Sequence, residues 1–301
     1  MKVVVLAGGT GGATLADGIR LAAPEHELTV IANTADDDEF WGLLVSPDID
    51  AVLYRFAGMF NEDSGYGVKD DTFHVLEALA RAGEETWFRI GDKDLATHLI
   101  RTELVRGGAT PTDATLDLAK RFGIEPAVLP MSDDVVRTRF TTDAGELSFQ
   151  EYFVREHLQP KLQAIHFAGI ETARPSPRVE AALRAADVVI IGPSNPLISI
   201  EPILQVVGEG LAPERTIAIS PIVEGASLKG PTIEMMRALG HSADPLEVAR
   251  MYADIAQTFV LDSRDRALAA AIEKLDYRVL LADTVMRDGG RALASLVLGH
   301  V

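Results

Sequence analysis

The chain begins with an apolar strand that leads directly into a loop rich in glycine. The residues from Val3 to Ala7 are all apolar, and the segment 13–22 beyond the loop has a helical pattern. The loop consists of Gly8, Gly9, Thr10, Gly11 and Gly12. Glycine lacks a Cβ atom, so its backbone can approach a phosphate closely, and a helix start offers unpaired N–H groups. The pattern therefore predicts a strand–loop–helix unit of an α/β fold with an anion site at the loop.

The glycine loop matches neither of the two common nucleotide-binding motifs. It lacks the Gly-Lys-Ser/Thr of a P-loop, and its spacing is shorter than that of a dinucleotide fingerprint. Asn33 and Thr34 follow the second predicted strand, 28–32, where a dinucleotide-binding protein has the acid that binds the ribose. A tight turn without a ligand is the simpler alternative. Four glycines are more than a plain turn requires, which favours contact with a phosphate or nucleotide.

Charge and composition exclude several classes of protein. Lys and Arg number 28 against 45 Asp and Glu, and the net charge of −17 disfavours nonspecific binding of nucleic acid. The lack of cysteine excludes disulfides, thiolate catalysis and cysteine-bound metals. Short apolar runs and the lack of a signal-peptide pattern predict a cytoplasmic protein with no membrane partner. The surplus of acids favours solubility, and some carboxylates could hold a divalent cation.

Strand and helix patterns alternate along most of the chain. The apolar segment 188–191 is typical of strands inside a parallel sheet. The alternation predicts a Rossmann-like, doubly wound, mostly parallel sheet in a single α/β domain, residues 1–301. The middle of the chain, approximately 125–175, is predicted to form a smaller inserted α/β subdomain. Its short strand-like segments are 127–130, 135–141, 146–149 and 161–169.

Three helices are predicted between residue 72 and this middle segment, the last of them over 112–122. The first spans 72–82, with Asp71 as its expected N-cap. The second spans 94–106, with Asp94 as its expected N-cap. Because side chains four residues apart share a helix face, His98 is expected to lie one turn beyond Asp94 on that face.

Acids, amides and basic residues cluster in three places. Asn33 is followed by three aspartates at 36–38, and loops after parallel strands face the ligand crevice. Asp48 and Asp50 lie at a predicted helix start. They could bind a cation or a substrate hydroxyl, or only complement the helix dipole. The segment 89–98 brings a glycine turn, two acids, two basic residues and a histidine together, which favours a site over an ordinary surface.

A second loop with a rigid backbone follows the apolar strand 188–191. Its residues are Gly192, Pro193, Ser194, Asn195 and Pro196. The prolines restrict the loop, while the serine and asparagine side chains present donors and acceptors at the ligand edge of the predicted sheet. A rigid turn without a ligand is the alternative.

Seven motifs together resemble one family. They are Gly8–Gly12, the Asn-Thr-Ala-Asp stretch from Asn33, Ser46–Asp50, Gly91–His98, Leu129–Asp133, Gly192–Pro196 and Ser220–Ile222. Each is weak alone, but in this order and spacing the chain resembles the 2-phospho-L-lactate transferases of coenzyme F420 biosynthesis over nearly its whole length.

The resemblance implies a reaction and its partners. A guanosine diphosphate-activated phospho-acid would donate its phospho-acyl group to the terminal ribityl hydroxyl of the deazaflavin Fo, and GMP would leave. The phospho-acid is lactate, enolpyruvate or glycerate in different lineages, and the sequence does not choose among them. Mg²⁺ is the implied cofactor. A homodimer is expected only because two-fold dimers are the commonest assembly.

The resemblance also implies roles for individual residues. Asp48 and Asp50 would be the catalytic carboxylates and the Mg²⁺ ligands. The residues facing Fo would be Asp50, Arg89, Asp92, Asp94 and His98. The guanosine phosphates would be held by Gly8, Gly9, Thr10, Gly11, Gly12, Asn33, Gly192, Ser194 and Asn195.

Two other interpretations compete with the transferase. The related gluconeogenesis-factor family shares the fold and the early glycine loop, and its members look like nucleotide-sugar-binding regulators. Ser46–Asp50 and Gly91–His98 favour the transferase over this alternative. An NAD(P) oxidoreductase is suggested only by the glycine loop, and the missing ribose-binding acid counts against it.

Overall fold

The computed structural model describes residues 1–228 and 230–301. At its centre is a parallel sheet of seven strands. The strands are β1 Lys2–Ala7, β2 Glu27–Ala32, β3 Ala127–Pro130, β4 Val188–Ile191, β5 Thr216–Ile219, β6 Thr258–Asp262 and β7 Arg278–Ala282. They lie in the order β3-β2-β1-β4-β5-β6-β7, and every neighbouring pair is parallel. The predicted doubly wound sheet is confirmed.

The inner strands are apolar on both faces because helices cover both sides of the sheet. In β1, Val3, Val5 and Ala7 pack into one core, while Val4 and Leu6 pack into the other. Successive side chains of a strand point to opposite faces, so a strand buried on both sides has no polar face.

Eleven α-helices are assigned in the described part of the chain. They are α1 Gly9–Ala22, α2 Pro47–Phe56, α3 His74–Ala82, α4 Asp92–Arg106, α5 Pro111–Arg121, α6 Pro177–Ala185, α7 Glu201–Val207, α8 Thr232–Ala238, α9 Pro245–Met251, α10 Ala269–Glu273 and α11 Arg291–Leu298. Helices α1, α2 and α11 contribute to the core on one face, and α6, α7 and α9 to the core on the other. Among the described residues, no helix has both the length and the apolarity that crossing a bilayer requires.

The strands predicted in the middle of the chain form, but they belong to two sheets. Segment 127–130 is β3, at the edge of the central sheet. Arg137–Thr142, Gly145–Ser148 and Leu162–Ala168 form a separate antiparallel sheet, with Arg137–Thr142 in the centre. If the inserted segment is defined as the part that forms this separate sheet, it starts after β3. The division of the chain into domains stays a prediction.

A short hairpin that the sequence did not indicate lies between β2 and α2. Asp38–Phe40 pairs antiparallel with Leu43–Val45. Trp41 and Gly42 form its turn with φ angles of 49° and 76°. Two successive residues with positive φ match the right-handed twist of a tight hairpin. The hairpin lies next to α4, which carries several of the predicted site residues.

The caps of α3 and α4 are exchanged between the two helices. Asp71 was predicted to cap α3, but its carboxylate accepts the N–H groups of Lys93 and Asp94 in the first turn of α4. Asp92, in turn, accepts the N–H groups of His74 and Val75 in the first turn of α3. The predicted N-cap roles of Asp71 on α3 and of Asp94 on α4 are therefore wrong. The first residue of α4 therefore caps α3, and a residue just before α3 caps α4.

Candidate functional site

The two predicted phosphate loops meet at the carboxyl ends of β1 and β4. This is the point where the strand order reverses, and ligands bind there in open α/β sheets. A Cβ atom on Gly11 would lie 2.3 Å from the carbonyl oxygen of Pro193, and one on Gly12 would lie 2.9 Å from Ser194 Oγ. A Cβ atom on Gly8 would lie 2.3 Å from Ser199 Cβ. Contact between the two loops thus requires glycine at positions 11 and 12, and contact with the helical turn Pro196–Ile200 requires it at position 8, even without a ligand.

Gly9 has a different role from its neighbours. It has a φ of 60°, and its N–H donates to Asp48 Oδ1 at 2.7 Å. Among the described residues, that carboxylate oxygen is the one atom within 4 Å of a Cβ built there. Helix α1 begins at Gly9 rather than at Ala13 as predicted. The carboxylate of Asp48 therefore already neutralises part of the helix N-terminus where an anion was expected.

Asn33 joins two buried carboxylates. Its Nδ2 donates to Asp36 Oδ2 and to Asp48 Oδ2, each at 3.0 Å, and its Oδ1 accepts the N–H of Ala35. Asp36 also accepts the Thr138 hydroxyl at 2.8 Å. Asn33 is fully buried, so its amide organises the acids of this edge of the sheet. That it also binds a nucleotide stays a prediction.

Three aspartates at this edge, the buried Asp36 and Asp48 and the half-buried Asp37, have raised pKa values. Burial and the neighbouring charge of Asp48 hold the pKa of Asp36 well above its usual range. Burial raises the pKa of Asp48 to about 6. Burial also raises the pKa of Asp37 to about 7, although Arg137 and the hydroxyl of Ser46 oppose the shift. The cluster holds more negative charge than its surroundings neutralise, so it favours protons or a cation.

A second group of charged side chains surrounds Asp50. Arg101 NH1 donates to Asp50 Oδ2 at 3.1 Å, and Arg101 NH2 pairs with Asp50 Oδ1. Asp50 and Arg101 are each 4% exposed. Arg101 NH1 also lies 3.2 Å from His98 Nδ1. Because a guanidinium can only donate, we assign Nδ1 as the acceptor, which leaves the proton of neutral His98 on Nε2.

Asp94 completes this second group. His98 Nε2 lies 3.2 Å from Asp94 Oδ1, which confirms that the two residues share a face of α4. The Tyr54 hydroxyl donates to the same oxygen at 2.6 Å. Burial opposes ionisation of Asp94, but the His98 ring and the Tyr54 hydroxyl together hold its pKa below the usual value. Three side chains from α2 and α4, those of Tyr54, His98 and Arg101, thus surround the carboxylates of Asp50 and Asp94.

Asp48 and Asp50 belong to separate groups. Residues two apart on a helix do not face each other, and here Asp48 contacts Gly9 and Asn33 while Asp50 contacts Arg101. In the described part of the chain, the ligand atoms that lie within 4.8 Å of one another are those of Asp50, Asp94 and His98. The two carboxylates predicted to share a metal ion therefore have different immediate partners.

The remaining residues predicted to face Fo lie at the start of α4 or just before it. Arg89 is exposed, and its guanidinium lies over the ring of Phe73, 4.4 Å from the centroid. Asp92 accepts the Thr72 hydroxyl as well as the two N–H groups of α3. Its carboxylate is occupied in holding two helices together. Contact of either residue with a ligand stays a prediction.

The second predicted phosphate loop, Gly192–Pro196, is also held by hydrogen bonds within the protein. Ser194 Oγ accepts the N–H of Gly8 at 3.3 Å. Asn195 Oδ1 accepts the N–H of Leu197 at 2.9 Å, and so caps the helical turn Pro196–Ile200. Gly192 donates to the carbonyl of Leu6. These bonds fix the loop beside Gly8–Gly12, so the structure brings the two loops together as predicted.

Similarity to known proteins decides the family. A sequence model described as "2-phospho-L-lactate transferase CofD" matches residues 3–291. The chain belongs to the 2-phospho-L-lactate transferase family. It is similar to the 2-phospho-L-lactate transferase of Methanosarcina acetivorans, with 40% identity over 99% of this chain and 98% of the relative. It is also similar to the phosphoenolpyruvate transferase of Streptomyces griseus, with 38% identity over 96% of this chain and 94% of the relative.

Solved structures add support for the fold alone. The chain is similar to a crystal structure of a UPF0052-family protein from Bacillus halodurans, with a TM-score of 0.60 and 17% identity. The match covers 93% of this chain and 92% of the other. Membership of the transferase family supports a transferase enzyme and replaces the regulator and oxidoreductase interpretations.

Sequence reasoning missed two members of the transferase's candidate site. Tyr54 and Arg101 were not singled out, although Arg101 lies three residues beyond His98 and seven beyond Asp94 on α4. Side chains at these spacings share one face of a helix, so a search for charged residues along that face would have found Arg101. Tyr54 lies four residues beyond Asp50 on α2, and the same rule applies to it.

Proposed function

We propose that this transferase moves a phospho-acyl group from a GDP-activated phospho-acid to the terminal ribityl hydroxyl of the deazaflavin Fo, releasing GMP. One observation carries the proposal beyond the family. Asp50, a buried carboxylate, is paired with Arg101 and lies two residues from Asp48, which bonds to the first glycine loop. An ionised carboxylate can take the proton of an attacking hydroxyl.

The reaction requires one bond to form and one to break. The ribityl oxygen of Fo attacks the phosphorus of the phospho-acid, the bond from that phosphorus to the GMP oxygen breaks, and GMP leaves with the electron pair. Asp50 accepts the hydroxyl proton as the new bond forms. Arg101 stabilises the carboxylate before the transfer and orients it through two hydrogen bonds.

Backbone N–H groups of the glycine loops would bind the phosphates of the donor. The N-terminus of α1 carries a partial positive charge, and its first N–H now donates to Asp48. A diphosphate arriving beside Gly9 would compete with Asp48 for that N–H. Such competition favours a cation or a proton between the carboxylate and the phosphates, because two anions would otherwise share one donor.

The residues around Asp48 fit a magnesium ion better than those around Asp50. Mg²⁺ prefers oxygen ligands and often uses one or two carboxylates together with substrate phosphates. In the described structure, Asp36 and Asp48 accept hydrogen bonds from neutral groups, whereas the charge of Asp50 is balanced by Arg101. The cluster of Asp50, Asp94 and His98 includes a nitrogen ligand and lies beside that guanidinium. We therefore assign Asp48 as the residue that would hold Mg²⁺, which supplies neutralisation of the diphosphate charge.

The proposal is tested by following the mass of the product. Purified protein is incubated with Fo, Mg²⁺ and, in turn, the GDP-activated forms of phospholactate, phosphoenolpyruvate and phosphoglycerate. We expect one donor to yield the phospho-acyl derivative of Fo together with GMP. Two donor types occur in the names of relatives, so all three are needed. Formation of no product with any donor would count against the proposal.

A substitution and its control sharpen this test. Asp50→Asn keeps the size of the side chain and removes its charge, and we expect product formation to fall at least about 100-fold, as is typical for loss of a general base. Asp117→Asn on α5 is the matched control, because Asp117 pairs with Arg121 at the surface. Unchanged turnover in Asp50→Asn would remove Asp50 from the proposed chemistry.

A further inference from the structure

Two buried rings belong to the charged group around Asp50. Tyr54 on α2 and His98 on α4 are each 1% exposed. The exposed fraction of the side chain rises from 2% in His98 to 6% in Asp50 and 15% in Asp94. Solvent therefore reaches this group from the side of its carboxylates, and the two rings offer a substrate almost no surface. Their role follows from the groups that they contact inside the protein.

His98 connects the two carboxylates of the group. Its Nε2 lies 3.2 Å from Asp94 Oδ1, and its Nδ1 lies 3.7 Å from Asp50 Oδ2 and 3.2 Å from Arg101 NH1. The Nε2 atom has no well-aligned hydrogen bond among the described residues, so its contact with Asp94 is mainly electrostatic. The ring thus lies between Asp94 and the Asp50–Arg101 pair, and a rotation of the ring would change both contacts.

The chemistry of the His98 ring excludes it as the base of the reaction. A neutral imidazole has one lone pair, and here Arg101 NH1 donates to it at Nδ1. Protonation of Nδ1 would direct an N–H at the guanidinium, which is unfavourable. The ring can therefore hold Arg101 in place, but it has no free lone pair with which to take a proton from a substrate hydroxyl.

Tyr54 holds Asp94 in contact with this ring. Its hydroxyl donates to Asp94 Oδ1 at 2.6 Å, and this is the oxygen next to His98 Nε2. Hydrogen bonds to an ionised carboxylate are short and strong. Loss of the Tyr54 hydroxyl would free the carboxylate of Asp94 to rotate away from the ring.

Arg101 connects the two rings to Asp50. Its NH1 contacts His98 Nδ1, Asp50 Oδ2 at 3.1 Å and the carbonyl oxygen of Leu44 at 3.4 Å. Its NH2 pairs with the second carboxylate oxygen of Asp50. Because a guanidinium is planar, the partners of NH1 fix the plane of the whole group and, with it, the orientation of the carboxylate.

We infer that Tyr54 and His98 are positioning residues, which fix the Asp50 carboxylate through Asp94 and Arg101. This inference rests on the proposed function, because it identifies the side chains that support the proposed base. A displacement of a reacting group by about 1 Å can lower a rate about 100-fold. Side chains that do not touch the substrate can therefore control kcat while the affinity for Fo stays the same.

The first test removes one hydroxyl from each of two buried tyrosines. Tyr54→Phe removes the hydrogen bond to Asp94. Tyr277→Phe is the matched control, because its hydroxyl donates to the carbonyl of Ala249 at 2.9 Å and Tyr277 lies just before β7, at the opposite edge of the sheet. Each variant loses one buried hydrogen bond, so we expect a similar fall in Tm for both. We expect kcat to fall at least about fivefold in Tyr54→Phe and to keep its wild-type value in Tyr277→Phe.

The affinity for Fo separates positioning from direct contact. The dissociation constant of Fo is measured by calorimetry for wild type, Tyr54→Phe and His98→Ala. We expect it to change by less than about twofold, whereas kcat falls at least about tenfold in His98→Ala. His98→Asn offers Arg101 an acceptor close to the position of Nδ1, and we expect it to restore part of kcat. Unchanged kcat in Tyr54→Phe and His98→Ala, or a loss of Fo affinity that accounts for the whole effect, would overturn the inference.

A double variant tests the connection through Arg101. If Tyr54 acts through Arg101, adding Tyr54→Phe to Arg101→Lys lowers kcat no further, whereas independent effects would multiply. We expect the double variant to match Arg101→Lys within about twofold. A further fall equal to that of Tyr54→Phe alone would contradict the inference. Failure of the wild type to form product with any donor would instead remove the proposed function, and the inference with it.

Discussion

Arg101 on α4 and Asp50 on α2 form a buried, two-pronged ion pair that joins the two helices of the candidate site. Breaking a buried pair by removing one partner leaves an uncompensated charge in a poorly solvated place. Arg101 also lies 3.2 Å from His98 Nδ1 through NH1, so the ion pair is continuous with the remaining charged side chains of α4. This ion pair is therefore expected to affect the stability of the fold, the position of the Asp50 carboxylate and the proposed proton transfer.

Arg101→Ala is expected to lower stability and activity together. The loss leaves Asp50 buried without its cation, and removal of one partner of such a pair costs about 3–5 kcal/mol. Chemical denaturation measures the change in the free energy of unfolding, and the product assay measures activity.

Arg101→Lys separates the two effects. Lysine retains the positive charge but lacks the planar guanidinium that contacts both carboxylate oxygens of Asp50. We expect most of the stability to return while kcat stays at least about tenfold below wild type, consistent with a misplaced carboxylate. Full recovery of kcat in Arg101→Lys would show that activity does not require the two-point contact of the guanidinium with Asp50.

Asp37 makes stability depend on pH in an unusual direction. Burial raises its pKa to about 7 in the folded protein, whereas an aspartate in the unfolded chain has a pKa of about 3.9. Between these values the folded state holds a proton that the unfolded state has lost, so the contribution of Asp37 to stability falls as pH rises from about 4 to 7.

Asp37→Asn is expected to remove this pH dependence. At pH 8 we expect the variant to be more stable than wild type by on the order of 1–3 kcal/mol, and the difference to shrink towards pH 4. Denaturant titrations at pH 4.5, 6 and 8 measure it. Asp117→Asn, at the exposed pair with Arg121, serves as the control. A variant that is less stable than wild type by the same amount at every pH would contradict the interpretation.

The central sheet could be predicted because short stretches of sequence indicate each of its strands and the helices between them. Strand β4 is apolar at every position and β1 at every position after Lys2, and helices with one apolar face lie between the strands. The periodicity of apolar residues and the lengths of the connections therefore predict a doubly wound fold. The positions of the two predicted phosphate loops could be inferred from this fold, since each loop follows a strand at the point where the strand order reverses.

The features that were missed depend on contacts between distant parts of the chain. Asp71 and Asp92 cap each other's helices, and sequence proximity alone assigned Asp71 to the wrong helix. Helix α1 starts among glycines, whose poor helix propensity hides the boundary. The hairpin turn places Trp41 at a positive φ, which turn rules based on asparagine or glycine do not anticipate.

Gly11→Ala tests whether the glycine loop is required by packing rather than by a ligand alone. A Cβ atom there would lie 2.3 Å from the carbonyl oxygen of Pro193, a backbone atom that cannot rotate away. We expect a loss of roughly 1–3 kcal/mol in the free energy of unfolding without any ligand present, the usual effect of overpacking. Gly208→Ala is the control, because its Cβ would meet no described atom within 4 Å. Equal stability of both variants and wild type would mean that the two loops separate easily.

Asp92→Asn tests whether this residue serves the fold or the acceptor. The carboxylate accepts the Thr72 hydroxyl and two N–H groups of α3, and these bonds hold its pKa below the usual value. A lowered pKa in the folded state means that the contribution to stability is present above the unfolded pKa and is lost as pH falls through the folded one. We therefore expect the variant to have a lower Tm than wild type at pH 7, with the gap closing in acid, and to keep wild-type affinity for Fo at temperatures where it is folded. A selective loss of Fo affinity with an unchanged Tm would instead place Asp92 against the acceptor, as the family resemblance implies.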